Sequence, residues 1–139
     1  MGLKIFEKKI AVTHAGSTAA TAATDIWTPL GTNFIRLLRY RFILSGNITA
    51  AAAAFAVSLA EVTPGGVATI LGFSTINLAI PTATLAAPVA GAWYDSGEID
   101  LELGYKTVAV GNSLAVNLSE VLTAGLVTCI LRGIEAPWC

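Results

Sequence analysis

A stretch of 33 residues without a charged side chain constrains this sequence more than any other feature. It runs from Val62 to Tyr94 and is interrupted by seven glycines and prolines: Pro64, Gly65, Gly66, Gly72, Pro81, Pro88 and Gly91. A membrane-spanning helix needs about 20 unbroken apolar residues, and a break facing lipid would leave backbone polar groups without hydrogen bonds. We therefore expect protein, and not a membrane, to cover this stretch.

The whole chain is unusually apolar for its length. Its 139 residues fit one domain, and they are 55% hydrophobic and only 12% charged. Ordinary soluble domains are about 25% charged. Because a chain of this length cannot easily hide so much apolar surface by itself, we expect a subunit that completes its burial against copies of itself or a larger assembly.

The charges are separated along the chain. Residues 1–47 hold six basic and two acidic residues, whereas residues 48–139 hold two basic and seven acidic ones. Complementary surfaces on repeated copies could use this polarity to set their orientation, and scattered solvating charges are the alternative. Six positive residues without a tight cluster do not indicate nucleic-acid binding.

Period-two alternation of apolar and polar residues predicts an all-β fold. We expect one jelly-roll-like antiparallel β-sandwich over residues 1–139, with eight to ten short strands at the spacing typical of this class. The predicted strands are 4–12, 22–28, 34–44, 55–62, 67–73, 99–103, 106–110, 114–118 and 125–135. In the third, one face is predicted to hold Phe34, Leu38, Tyr40, Phe42 and Leu44, and the other Ile35, Leu37, Arg39, Arg41 and Ile43.

Turn residues separate these strands. Ser45-Gly46-Asn47 is expected to end the third strand. Thr63-Pro64-Gly65-Gly66 fits a type II turn in which Gly65 takes positive φ. Gly111-Asn112 is predicted to form a tight hairpin between strands 106–110 and 114–118. Residues 1–17 are a possible arm, and residues 74–92 are expected to be a long connecting loop.

The sequence offers little for catalysis. His14 is the single histidine, and it has no partner at the spacing of a metal site. Asp100 and Glu102 share a strand face and are interpreted as solvated, although such a pair could also bind a cation or flank a glycosidic bond. Cys129 is expected in the core, and Cys139 is the last residue. We therefore predict no enzyme and no cofactor.

The aromatic residues allow two interpretations each. Trp27, Trp93 and Tyr94 are expected to pack in the core, with a sugar-stacking platform as the alternative. Trp138 is next to last, where it either docks on a neighbouring molecule or covers the end of its own sandwich.

The second half of the chain resembles a known class of proteins. Trp93-Tyr94 is followed by Gly97-Glu98-Ile99-Asp100-Leu101, by a strand over residues 112–119 and by a last strand over residues 126–131. This order is similar to small β-sandwich virion proteins of tailed bacteriophages, over about residues 93–135. The resemblance implies a capsid decoration (cement) protein, usually a trimer, or another accessory piece of head or tail. A decoration protein would be assembled in the host cytoplasm and lie on the capsid surface.

The sequence thus favours a viral structural protein that self-associates and binds the lattice of a major capsid protein. The alternative is a carbohydrate- or receptor-binding module of a virion or tail, built on Trp93, Tyr94 and the nearby acids. Replacing Arg39 and Arg41 by Glu is expected to weaken assembly or capsid binding. The residues predicted at the interface are Arg36, Arg39, Arg41, Pro81, Pro88, Trp93, Tyr94 and Trp138.

Overall fold

The structure is a computed structural model that describes residues 5–12, 24–50, 54–79, 92–119 and 122–138. Within these ranges the chain forms nine β-strands and no helix, and therefore no helix that could span a membrane. The strands are β1 Ile5–Val12, β2 Thr24–Trp27, β3 Phe34–Ala50, β4 Ala54–Val62, β5 Ala68–Ala79, β6 Ala92–Asp95, β7 Ile99–Lys106, β8 Ser113–Leu118 and β9 Leu122–Ala136.

The strand pairing is that of a jelly roll. One sheet has the order β1-β9-β3, with β6 and β7 both pairing to the free side of β3, and the other has the order β2-β8-β4-β5. Every pair is antiparallel. If β6 and β7 count as one interrupted strand, the chain has eight strands. Counted in chain order, strand one then pairs with eight, two with seven, three with six and four with five, and these successive pairs alternate between the two sheets. The predicted jelly-roll-like sandwich is confirmed.

The core lies between the two sheets and is built by alternating residues of both. In β8, Leu114, Val116 and Leu118 are fully buried. Cys129 is a buried free thiol, as predicted, and burial raises its pKa because the thiolate would lose its hydration. The largest fully buried side chains are Trp27, Ile35, Leu37, Phe42, Leu44, Leu59, Leu114, Leu118 and Leu131.

A β-bulge at Leu38 corrects the predicted faces of β3. Leu37 pairs with Gly133 and Arg39 pairs with Arg132, so β3 has one more residue than β9 at this point. The extra residue reverses the alternation. The buried residues of β3 are therefore Ile35, Leu37, Tyr40, Phe42 and Leu44. The prediction that Phe34 and Leu38 share a face with the last three of these residues is wrong.

Two predicted turns are not turns of the expected kind. β3 continues through Ser45-Gly46-Asn47 to Ala50. The residues predicted to form a turn lie instead where the β3–β9 pairing is irregular, between Ser45 and Thr49. The segment 107–112 connects β7 to β8, which lie in different sheets. The predicted hairpin at Gly111-Asn112 and the predicted strand 106–110 are therefore wrong, because the chain crosses the sandwich there.

The β4–β5 hairpin is confirmed, but its turn differs from the prediction. Gly66 N–H donates to the Thr63 carbonyl over 2.8 Å, and Thr63 N–H donates to the Val67 carbonyl over 2.9 Å. Positive φ occurs at Gly66 (90°) and not at Gly65, which excludes a type II turn. The geometry matches a turn followed by a left-handed glycine, a common three-residue hairpin connection.

Two further predicted boundaries, those of the N-terminal arm and of the long connecting loop, differ from the structure. Ile5–Val12 pairs with β9 along its whole length, so these eight residues belong to the sheet and are not a separate arm. β5 extends to Ala79, so the predicted 74–92 loop is wrong over residues 74–79. Pro81 and Pro88 lie in the segment 80–91, outside the described residues.

Candidate interaction surface

Three loops and the segment after β9 meet at one end of the sandwich. They are residues 28–33, 63–67, 107–112 and 136–138, and we call them the loop end. Gly111 N–H donates to the Asn33 carbonyl over 3.0 Å, and a Cβ built at Gly111 would lie 3.4 Å from Cγ of Pro64. Ala136 pairs with Phe34, which brings the last segment to the same end.

The loop end is apolar at its surface. Its 20 residues include no Asp, Glu, Lys or Arg. Five of its large hydrophobic side chains are exposed to solvent, and Trp138 retains 69% of its accessible surface. Exposed apolar patches of this kind mark interaction sites, and interface cores are depleted in charge and enriched in aromatic residues. The five exposed residues are Leu30 (77%), Val67 (65%), Val108 (79%), Val110 (43%) and Trp138 (69%).

Glu135 holds the first of these loops in place. Its carboxylate accepts hydrogen bonds from Trp27 Nε1 (2.8 Å), Leu30 N (2.9 Å) and Asn33 Nδ2 (2.9 Å). Burial alone would raise the pKa of Glu135, but the three hydrogen bonds outweigh it and lower the pKa. The ionised carboxylate therefore fixes the position of Leu30 at the surface.

Glu61 does the same for the loop between β7 and β8. Its side chain is buried and accepts hydrogen bonds from the Tyr105 hydroxyl, from Val108 N (2.8 Å) and from Asn112 Nδ2. Burial, together with the hydrogen bond to this carboxylate, raises the pKa of Tyr105. Thr107 adds a second anchor, because it exchanges hydrogen bonds with the backbone of Ile35.

The predicted interface arginines lie elsewhere, on the outer face of the first sheet. Because of the bulge at Leu38, both Arg39 and Arg41 face outward there. Arg39 contacts Glu98 (3.8 Å) and Asp100 (3.6 Å). Arg41 forms an ion pair with Asp95, whose pKa is lowered to about 2 chiefly by this hydrogen bond.

Arg132 and Arg36 extend this face. Arg132 contacts Glu7 (2.8 Å) and Glu98 (3.3 Å), and Arg36 donates to the Leu103 carbonyl (3.0 Å). Two bases of the first half of the sequence, Arg39 and Arg41, thus meet acids of the second half within one molecule.

The structure describes the side chains of two of the three residues of the alternative sugar-stacking platform. Trp27 is buried in the core, and Tyr94 is partly buried against it. Trp93 belongs to β6, but its side chain lies outside the described residues. The exposure of Trp138 shows that it does not cover its own sandwich.

Most of the loop end is not predicted by local sequence patterns. The predicted interface residues do not include Leu30, Val108 or Val110, and the predicted strand 106–110 contains the last two. The sequence feature that could indicate the loop end is the absence of charge in Thr107–Asn112 and in three other short segments. Local patterns do not show that these four segments are close together, because that depends on the fold. Among the described residues, no group of three His, Cys, Asp or Glu side chains is arranged to hold a metal ion, and His14 lies outside them.

Comparisons with known proteins assign this chain to no family. No protein-family model matches the sequence, and no curated protein matches it. Among solved structures, a chain in the structure of infectious bursal disease virus, Gt strain, aligns with 96% of this chain at 9% sequence identity and a TM-score of 0.30. The alignment covers 32% of that chain. A similarity this low defines neither a family nor a function.

Proposed function

We propose that this chain is a structural subunit of a virion that decorates and stabilises a capsid lattice, which it binds through the loop end. The observation that carries the proposal is the uncharged, exposed apolar surface at one end of a jelly-roll sandwich. Jelly rolls recur in viral capsid proteins, where the fold serves assembly and not chemistry. The resemblance of residues 93–135 to phage virion proteins points in the same direction.

The construction of the loop end suits a binding surface. Glu135 and Glu61 hold its loops by three hydrogen bonds each. Loops that are already ordered lose less conformational entropy when a partner binds. Trp138 and Val108 would then contribute contact area at a low ordering cost, as binding hot spots do.

Stabilisation of a shell follows from mass action. A subunit that binds the assembled lattice but not its free components shifts the equilibrium toward the assembled state. Repeated sites on a symmetric shell add avidity, because a linked group of subunits binds several neighbouring positions at once. No catalytic residue is needed for this role.

The proposal is tested by the occupancy of virus particles. We expect Val108→Asp and Trp138→Ala to raise the Kd for particles of the encoding virus at least about tenfold, since truncating a hot-spot tryptophan costs about 2 kcal/mol or more. Occupancy is measured by co-sedimentation over a range of subunit concentrations.

Leu103→Asp is the matched control for Val108→Asp. Leu103 is 87% exposed but lies on β7, outside the loop end, so its replacement should leave occupancy unchanged. Wild-type protein that does not bind particles, or a Val108→Asp variant that binds as well as the control, would contradict the proposal. A glycan array tests the carbohydrate-binding alternative, for which reproducible hits lost in Trp93→Ala would be required.

A further inference from the structure

The two sheets have four edges, and one of them differs from the rest. β1 includes Glu7, Lys8 and Lys9, and β2 is only four residues long and includes Asp25. The edge formed by β6 and β7 is interrupted and carries several acids. Charges and short or interrupted strands are the usual means by which proteins prevent edge pairing.

β5 has none of these protective charges. It is 12 residues long and includes no charged residue and no proline. In the part of the chain that the structure describes, β5 pairs with β4 alone. Its outer side therefore presents a row of backbone donors and acceptors, which another β-strand can satisfy.

The regular pairing of β5 is broken at its centre by one β-bulge. Val57 pairs with Ile76 and Leu59 pairs with Leu71, so four residues of β5 lie opposite one residue of β4. Ser74 stabilises the bulge, because its hydroxyl donates to the Leu71 carbonyl (2.6 Å) and accepts from Leu59 N (2.8 Å). The bulge separates two regular segments, 68–71 and 76–79.

This arrangement is self-complementary. If two copies of β5 lie antiparallel across a twofold axis near the bulge, segment 68–71 of each faces segment 76–79 of the other. An uncharged edge meets no like-charge repulsion when it pairs with itself. Ile70, next to the bulge, and Phe73, within it, have half-exposed side chains that would gain burial in such a pair.

We propose that β5 pairs antiparallel with β5 of a second copy, which joins two four-stranded sheets into one of eight strands. The other three edges are poorer partners, because each would place charged side chains beside the uncharged strand. The pairing goes beyond lattice binding and uses a different surface. It makes the assembled unit even-numbered, in contrast to the trimer that the phage resemblance implies.

Charge complementation between variants tests the pairing. Ile70 and Asn77 have exposed side chains and lie opposite each other in this register, and one variant carries Lys at both positions while a second carries Glu at both. We expect the wild type to sediment as an even-numbered species and each variant alone to associate at least about tenfold more weakly. An equimolar mixture of the two should recover association, because opposite charges then face each other.

Two controls separate this outcome from misfolding and from failure of lattice binding. The neutral variant Ile70→Val with Asn77→Gln should associate like the wild type. Val108→Asp should lose particle binding but keep the even-numbered mass. Recovery by mixing excludes misfolding, because unfolded variants would not recover.

A second measurement needs no variant. Amide hydrogen exchange of β5 should be slower at high than at low protein concentration, because pairing protects the outward amides. A wild type that stays a single copy at high concentration, an odd-numbered assembly, or β5 amides with concentration-independent exchange would each overturn the proposal. So would charged variants that associate as well as the wild type.

Discussion

At the scale of the residue, Gly133 makes the path of β3 possible. A Cβ built on Gly133 would lie 2.2 Å from the Arg36 carbonyl oxygen and 3.1 Å from Cα of Leu37. Both contacts are with backbone, which cannot rotate away as a side chain can. The bulge at Leu38 therefore brings β3 so close to β9 that only glycine fits opposite it.

We expect Gly133→Ala to destabilise the fold by about 1–3 kcal/mol or more, because the added methyl group overpacks the two strands. Equilibrium urea unfolding measures the change. Gly72→Ala is the matched control, since a Cβ there meets nothing within 4 Å and the backbone is not left-handed. Equal midpoints for the two variants would show that the close approach at Gly133 has no energetic effect.

At the scale of the element, two carboxylates fix loops that the strands alone would leave loose. Glu135 lies near the end of β9 and Glu61 near the end of β4, and each binds donors from a loop that crosses between the sheets. An ionised carboxylate is the best acceptor for such a group of donors. The exposed apolar residues of the loop end are thus held in place by buried or half-buried charge.

The Glu135 carboxylate predicts a pH dependence. Its pKa is lowered on folding, so the stabilisation is complete above the ordinary value of 4.5 and is lost as the pH falls through the folded value. Glu135→Gln should therefore lower the unfolding free energy by about 1–3 kcal/mol at pH 7. The difference from the wild type should shrink as the pH falls below 4.5. Urea unfolding at a series of pH values measures both, and a difference independent of pH would contradict the assignment.

At the scale of the whole molecule, ion pairs join distant parts of the sequence on one face. Arg39 and Arg41 of β3 meet acids that follow 50 or more residues later, and Arg132 of β9 meets Glu7 of β1. All these groups are partly exposed, so each pair contributes modestly and is sensitive to salt. The sequence-based prediction that the arginines bind a partner remains a prediction.

Replacing Arg39 and Arg41 together by Glu should lower the melting temperature at low salt, because the new acids face Asp95, Glu98 and Asp100. The difference should shrink near 1 M salt, where the Debye length falls to about 3 Å. Asp25→Lys is the control for a charge reversal that breaks none of these ion pairs. An unchanged melting temperature at low salt would contradict the role of the ion pairs, and particle occupancy of the same variant tests the arginines as an interface.

The strands were predictable wherever alternation is continuous. The bounds of β1, β4 and β8 agree with the sequence to within one residue at each end, since large apolar residues alternate there with small or polar ones. The expected wetter face of β8 is wrong, because all six of its residues are buried. The faces of β3 were not predictable, because a single extra residue at Leu38 reverses the pattern. The signal for the bulge is Gly133, almost a hundred positions away.

The amino-acid sequence alone determined that the chain is all-β and that its apolar content is high for its length. These are local or additive properties, so they can be read from neighbouring residues and from composition. Only the tertiary structure decided which segments share an end or an edge: it brings four uncharged segments together as the loop end and leaves β5 at the side of a sheet. Such proximity depends on the order in which strands pair across the sandwich, because pairing joins residues that no local pattern connects.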